Sequence, residues 1–296
     1  MNQIFKPIAL LSLSSAIMLA LPISNTAHAQ VSAETLKSLS IPNKVDTAIG
    51  KLEFFDGVPT DSTVETVYDN LDRMRAVQAF LDNVGALSVY SVIAGNAGIG
   101  LTQPNQIAVA EKLLDSHSLY LTGNTSTMYS IGHLDLAAYG PTVVEVPPGM
   151  LGMLDDAWMR YVGDFGVAGQ DKGKGGKYLI LPPDFSGEIP EGYFVLKSPT
   201  YVNWFFMRGS IADGLAPALK NVKDNMKVYP LKAAKNPPAT EFTNITGKSY
   251  NTVAPSDFSY FQALNDIIQR EPIEALGSES RGTLAAIGIV KGKPFN

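Results

Sequence analysis

The chain contains no cysteine. That absence excludes disulfides, thiol catalysis, cysteine-ligated metals and a lipid anchor carried on a cysteine. Histidine is scarce as well: there are three, at positions 28, 117 and 133. A zinc site needs three or four ligands, so His117 and His133 would have to recruit Asp115 or Asp135, and no HExxH motif is present. "HLD" at 133–135 would put two ligand types on one face of a strand, but ordinary structural histidines are the favoured reading. Basic clusters are missing. A net charge of −5 without a Lys/Arg stripe disfavours nucleic acid. Past Ile23 no run is long and apolar enough to span a bilayer. No G-x-S-x-G elbow is found; Ser126 and Ser130 lie near His133 only in sequence. Asp155 and Asp156 are adjacent, and on a strand they would point to opposite faces, so they do not form a catalytic pair.

One glycine-rich stretch, "GQDKGKGGKYLILPPDF" from Gly169 to Phe185, raises the question of a phosphate loop. A P-loop needs G-x-x-x-x-G-K-[ST] between a strand and a helix. Gly169 and Gly173 are one residue too close, Lys174 is followed by Gly175, and a strand ended by two prolines comes next. The helix N-terminus that would hold a phosphate is missing. Gly173, Gly175 and Gly176 are instead expected to allow positive φ in a wide hairpin turn.

At the N-terminus, Lys6 precedes the apolar run "IALLSLSSAIMLALPI" and the small-x-small site Ala27-His28-Ala29. This reads as a secretory leader over residues 1–29, cut after Ala29, with the periplasm as destination. Residues 30–117 read as a mainly helical region. Thr60 is a candidate N-cap, and Val64, Val67, Leu71, Met74, Val77 and Leu81 recur at threes and fours, which predicts a long helix. A second helix is expected through "LSVYSVIAG" and a short one over Asn105–Leu114. Residues 118–231 carry short β-rich runs between Gly/Pro turns: "SLYL", "TVVEV", "LDDAWMRYV", "KYLIL", "GYFVLKS" and "YVNWFFMR". Such spacing predicts an antiparallel β-sandwich of jelly-roll type. Residues 232–296 read as a polar linker up to Asn251, followed by helices. The fold class expected is therefore α+β: a β-sandwich with helical N- and C-terminal additions.

Two strands place charge among aromatics. Alternation sets Trp204, Phe206 and Arg208 on one side of "YVNWFFMR", and Asp156, Trp158 and Arg160 on one side of "LDDAWMRYV". A buried charge needs a partner. Arg208 and Asp156 are therefore expected either to pair or to meet a ligand.

Several segments together resemble a known family: "LTGNTSTMYS", "DAW", "GKGGKYLILPPDFSGEIPEGYFVLKSPT", "WFFMRG", "YPL" and "LAAIGIVKGKPFN". The chain from about Leu52 onward is similar to the bacterial domain of unknown function 1254. The resemblance implies a β-sandwich with added helices and no assigned reaction or cofactor. Its members usually carry domain of unknown function 1214 after "GKPF", whereas this sequence stops at Asn296, so a short or truncated form is expected. Asn124, Thr127, Tyr129, Asp156, Trp158, Trp204 and Arg208 fall within or beside these segments and are the candidate ligand-binding residues. The functional expectation is a small-molecule binder. The alternatives are a hydrolase or lyase using the same pocket, and a structural or partner-binding module.

Overall fold

The computed structural model describes residues 31–40, 42–120, 123–249 and 251–295. The expected leader lies outside them. The chain divides into two compact units, Met1–Thr66 and Val67–Asn296.

In the first unit, α1 (Ala33–Leu39) is capped by Ser32, whose Oγ accepts from the Thr35 N–H at 3.0 Å. β1 (Lys44–Thr47) and β2 (Gly50–Phe55) form a tight antiparallel hairpin, and β3 (Val58–Pro59) adds along β2. Thr60 caps the next helix, α2 (Asp61–Asp82), as its sequence suggests: its Oγ1 accepts from the Thr63 N–H at 3.3 Å.

Within the second unit, α2 breaks at Asn83 and α3 (Val84–Gly98) departs at 59°. Asn83 donates from Nδ2 to the Ala79 carbonyl at 2.8 Å, the acceptor its own backbone N–H would otherwise use. Such side-chain competition ends a helix. The Oδ1 of Asn83 accepts from Trp158 Nε1 at 3.0 Å, so the break is also a docking point.

Two open sheets follow. The larger has six strands in the order β13-β4-β5-β11-β7-β8. These are β4 (Gln106–Val109), β5 (Met128–Asp135), β7 (Met150–Asp156), β8 (Tyr161–Gly166), β11 (Val202–Gly209) and β13 (Glu241–Asn244). The smaller has the order β10-β9-β6-β12: β6 (Thr142–Val146), β9 (Gly176–Leu181), β10 (Phe194–Lys197) and β12 (Lys227–Pro230). Pairing is antiparallel except for β13 with β4 and β10 with β9. Helices α4 (Leu136–Tyr139), α5 (Leu215–Asn225), α6 (Ser259–Arg270) and α7 (Ser278–Ala286) complete the unit. The architecture is thus mixed α/β with antiparallel-rich sheets, and neither sheet closes into a barrel.

The period of two explains the layering. In β11, Phe205 and Met207 point to one face and Val202, Trp204 and Phe206 to the other. The first face joins a core with Leu134, Leu154 and Phe165, and with Val144, Tyr178 and Ile180 of the smaller sheet. The second face joins a core with Tyr129 and Ile131, with Leu87 and Val89 of α3, and with Leu264 and Ile268 of α6. Because both faces are covered, β11 reads as a nearly continuous apolar run.

Five local expectations are corrected. Asn105–Leu114 is not helical: Gln106–Val109 is β4, where Ile107 and Ala108 are buried on opposite faces. The supposed linker contains β13, which pairs with β4 and extends the larger sheet. "LDDAWMRYV" is two strands: β7 ends at Asp156, Met159 turns at φ 58°, and β8 begins at Tyr161. "SLYL" makes only an isolated bridge, Leu119 with Asn251. The glycine loop holds positive φ at Gly173 (74°) and Gly175 (79°) but not at Gly176, which already opens β9, and it crosses from β8 in one sheet to β9 in the other instead of closing a hairpin.

Gly85 sets how closely α3 approaches the turn after β7. A Cβ there would stand 2.5 Å from the Trp158 carbonyl oxygen, a backbone atom that cannot swing away. Gly85→Ala is expected to destabilise the fold by about 1–3 kcal/mol despite its better helix propensity, as read by urea unfolding. A neutral or stabilising result would contradict this packing.

Candidate functional site

A cavity of about 290 Å³ opens between α3, α6, the turn after β7 and the start of β11. Its wall is mostly apolar: Ala86, Val89 and Ile93 from α3, Ala157 from the turn, Val202 from β11 and Ile267 from α6. The polar groups are Tyr90 of α3 and, from the end of α6, Asp266, Arg270 and Glu271.

The local sequence explains this end. Tyr260, Ala263, Leu264, Ile267 and Ile268 recur at threes and fours and turn one face of α6 into the core. Pro272 then forces Glu271 out of the helical region, to φ −81° and ψ 156°. The freed carbonyls are met by Lys291, whose Nζ donates to Gln269 O at 3.0 Å and Glu271 O at 2.6 Å. A cation is well placed at a helix C-terminus. With its backbone so held, Glu271 directs its carboxylate at the sheet. It accepts from the backbone N–H of Tyr201 at 2.6 Å and of Val202 at 3.0 Å.

Glu271 is 1% exposed. Burial pushes its carboxyl up to about 7, against the two N–H groups and Arg270, which favour the charged form, while Asp135 adds to the rise. Arg270 forms an ion pair with Asp135 at the end of β5. His133 lies two residues back on the same face, where burial lowers its pKa; Asp135 opposes that effect and Arg270 reinforces it. Among the described residues no cluster of three His, Asp or Glu has metal-holding geometry.

A second polar row crosses the sheet beside this cluster. Trp204 is paired with His133 on β5 and with Asp155 on β7. Burial, then Asp156 and Asp164, push the Asp155 carboxyl up to about 6. The indole Nε1 of Trp204 is buried without a hydrogen-bond partner.

The seven sequence-derived candidates separate into three places. Asn124 organises a loop: its Oδ1 accepts from the Thr127 N–H at 3.0 Å and the Thr127 hydroxyl at 2.9 Å, and its N–H donates to the Tyr129 hydroxyl at 3.2 Å. Tyr129 is opposite Arg208 in the sheet, and the guanidinium lies 5.5 Å from the Tyr129 ring centre and 5.2 Å from that of Phe206. Arg208 Nε has no hydrogen-bond partner. Trp204 belongs to the row described above. Asp156 and Trp158 belong to the turn after β7, where Asp156 accepts from the N–H groups of Trp158 and Arg160 and pairs with the Arg160 guanidinium at 2.7 Å.

The expected pairing of Asp156 with Arg208 is therefore corrected. In the ladder Asp156 faces Asn203 while Arg208 faces Leu151, an odd offset that puts the two on opposite faces. Five residues of strand also separate them, about 17 Å. The alternation within each strand did not carry the phase between strands. Sequence reading also missed Glu271, whose signal is a carboxylate directly before a proline at the end of an amphipathic helix.

Residues 104–230 match the profile of a family described as a protein of unknown function, DUF1254. The cavity takes Ala157 and Val202 from this region, and its α3 and α6 walls lie outside it. A solved structure, the VPA0106 protein from Vibrio parahaemolyticus, is similar at 18% identity with a TM-score of 0.47. The match covers 73% of this chain and 53% of that one, so this chain spans about half the length of that protein. No curated protein matches.

Two stability outcomes follow from this geometry. Arg208→Ala and Asp156→Ala are expected to add within about 0.5 kcal/mol, whereas Asp156→Ala and Arg160→Ala are not, since only the latter pair is in contact. Double-mutant cycles by denaturant unfolding distinguish these cases. The second outcome concerns Asp155, whose folded pKa is raised above its unfolded value. Its favourable contribution is complete below about 3.8 and is lost as pH rises through about 6. Asp155→Asn should leave stability near pH 4 unchanged and raise it at pH 8 by about 2 kcal/mol. A variant less stable at pH 8 would contradict the assignment.

Proposed function

We propose that this chain binds a small, mainly apolar molecule with a cationic end, in the cavity between α3 and α6. The observation that carries the reading is an apolar recess that ends on a few convergent ionisable groups. Ligand sites have this composition, and about 290 Å³ suits a compact ligand. Arg270 is already engaged by Asp135 and Glu271 by two backbone N–H groups, so Asp266 carries the free charge at the recess and favours an ammonium group over a carboxylate. The scaffold, on this reading, is a β-sandwich with helical additions, with jelly-roll as its finer form. On the same reading it works in the periplasm after removal of residues 1–29, a proposal that rests on the sequence of that segment. The enzyme alternative rests on Glu271 alone: a carboxyl near neutrality is what general acid–base chemistry uses. Both its oxygens are already engaged by backbone N–H groups, which favours binding over catalysis.

Isothermal titration with n-hexylamine and with hexanoate tests the proposal. The amine should bind saturably and the carboxylate should not. Ala94→Trp, at an exposed lining position, should weaken the amine about tenfold or more without unfolding the chain. Amine affinity should rise with pH through about 7, because the ionised Glu271 is the attracting form. Binding of neither probe, or amine binding indifferent to Ala94→Trp, would overturn the proposal.

A further inference from the structure

Helix α2 carries apolar residues on both faces of its Val67–Asp82 portion. Inward it turns the buried Ala79 and the half-buried Phe80, whose ring centre lies 4.3 Å from that of Tyr260. Outward stand Val67, Tyr68, Met74, Val77 and Leu81, each 40–61% exposed. A surface helix ordinarily keeps its outer face polar. A seam runs through them: Val67, the half-buried Leu71, Met74, Gln78 and Leu81 follow one another in alternating steps of four and three, as in a coiled coil. A single polar residue, Gln78, interrupts that seam, as register-setting polar residues do.

We infer that this face pairs with the same face of a second copy of the chain, α2 against α2, antiparallel and centred on Met74. That register sets Val67 against Leu81 of the second copy, Leu71 beside its Gln78, and Met74 against Met74. The rim charges fit it. Asp72 and Arg75 lie on one rim, where they now pair with each other at 3.2 Å in an exposed setting. An antiparallel twofold brings Arg75 of each copy to Asp72 of the other, giving two reciprocal ion pairs. A parallel pair would put the Arg75 of each copy on the opposite rim from the other copy's Asp72, so neither reciprocal ion pair would form. The exposed apolar residues offer on the order of 500 Å² per copy, so about 1,000 Å² in total, which reaches the lower limit for a specific interface. A dimer of micromolar strength is the result, and no leucine-rich seam of greater length is needed for it.

Sedimentation velocity of the full chain over a micromolar concentration series is the test, with circular dichroism and thermal unfolding as controls on folding. The chain should pass from monomer to dimer across the series. Met74→Glu places two carboxylates on the twofold axis and should weaken dimerisation at least tenfold, with an unchanged melting temperature because Met74 is exposed. Arg75→Asp should weaken it as well, and the double variant Asp72→Arg/Arg75→Asp should restore it. A chain that stays monomeric, binds phosphatidylcholine vesicles without self-association, or dimerises regardless of Met74→Glu would overturn the inference. Failure of the double variant to restore association would overturn the antiparallel register.

Discussion

One buried carboxylate ties the end of α6 to the larger sheet. Glu271 receives the N–H groups of Tyr201 and Val202 where β11 begins, and Pro272 and Lys291 fix its backbone from behind. Several features depend on that contact. It ends α6, it sets the distance between α6 and the sheet, and it leaves the recess beside Val202 and Ala157. Without it, the backbone N–H groups of Tyr201 and Val202 would lose their acceptor, a cost comparable to two lost hydrogen bonds.

The contact also explains why ionisable groups gather on this side of the sheet. Glu271, Asp155 and His133 all sit in surroundings that disfavour their charged forms. The opposite face, against the smaller sheet, is lined by Leu134, Leu154, Phe165 and Phe205 and by other apolar side chains. The sheet thus has one dry face and one chemically equipped face. The equipped face is completed by helices from outside residues 104–230.

Much of this architecture was legible in the residues. Thr60 marked the start of α2, helices were expected after Asn251 where α6 and α7 stand, and alternation in "YVNWFFMR" correctly put Trp204, Phe206 and Arg208 on one face. Short elements failed where local signals were weak. The four residues of β4 and of β13 have too few positions to show a period, and they are strands because of their neighbours, β5 and β13 for β4 and β4 for β13. "LDDAWMRYV" misled because Asp156 supplies its own turn, accepting the N–H groups of Trp158 and Arg160, which no count of apolar residues reveals. The pairing of Arg208 failed for a deeper reason. Alternation fixes phase within a strand, whereas phase between strands comes from register, which is a property of the tertiary fold.

The parallel ladder of β13 on β4 has a bearing on how the molecule assembles. The strands stand more than 130 residues apart: Gln106 bonds to Glu241 at 2.9 Å across that span, and Asn105 Nδ2 reaches the Ala239 carbonyl. Long loops close slowly, because chain entropy must be lost before the contacts form. The edge of β4 therefore stays open during synthesis until the last fifth of the chain has emerged. The same segment brings α6 and Glu271 to β11, so the edge of the sheet and the wall of the recess close in the same late step. An incomplete chain would present an unpaired strand edge and an apolar trough together, the combination that makes folding intermediates adhere to one another.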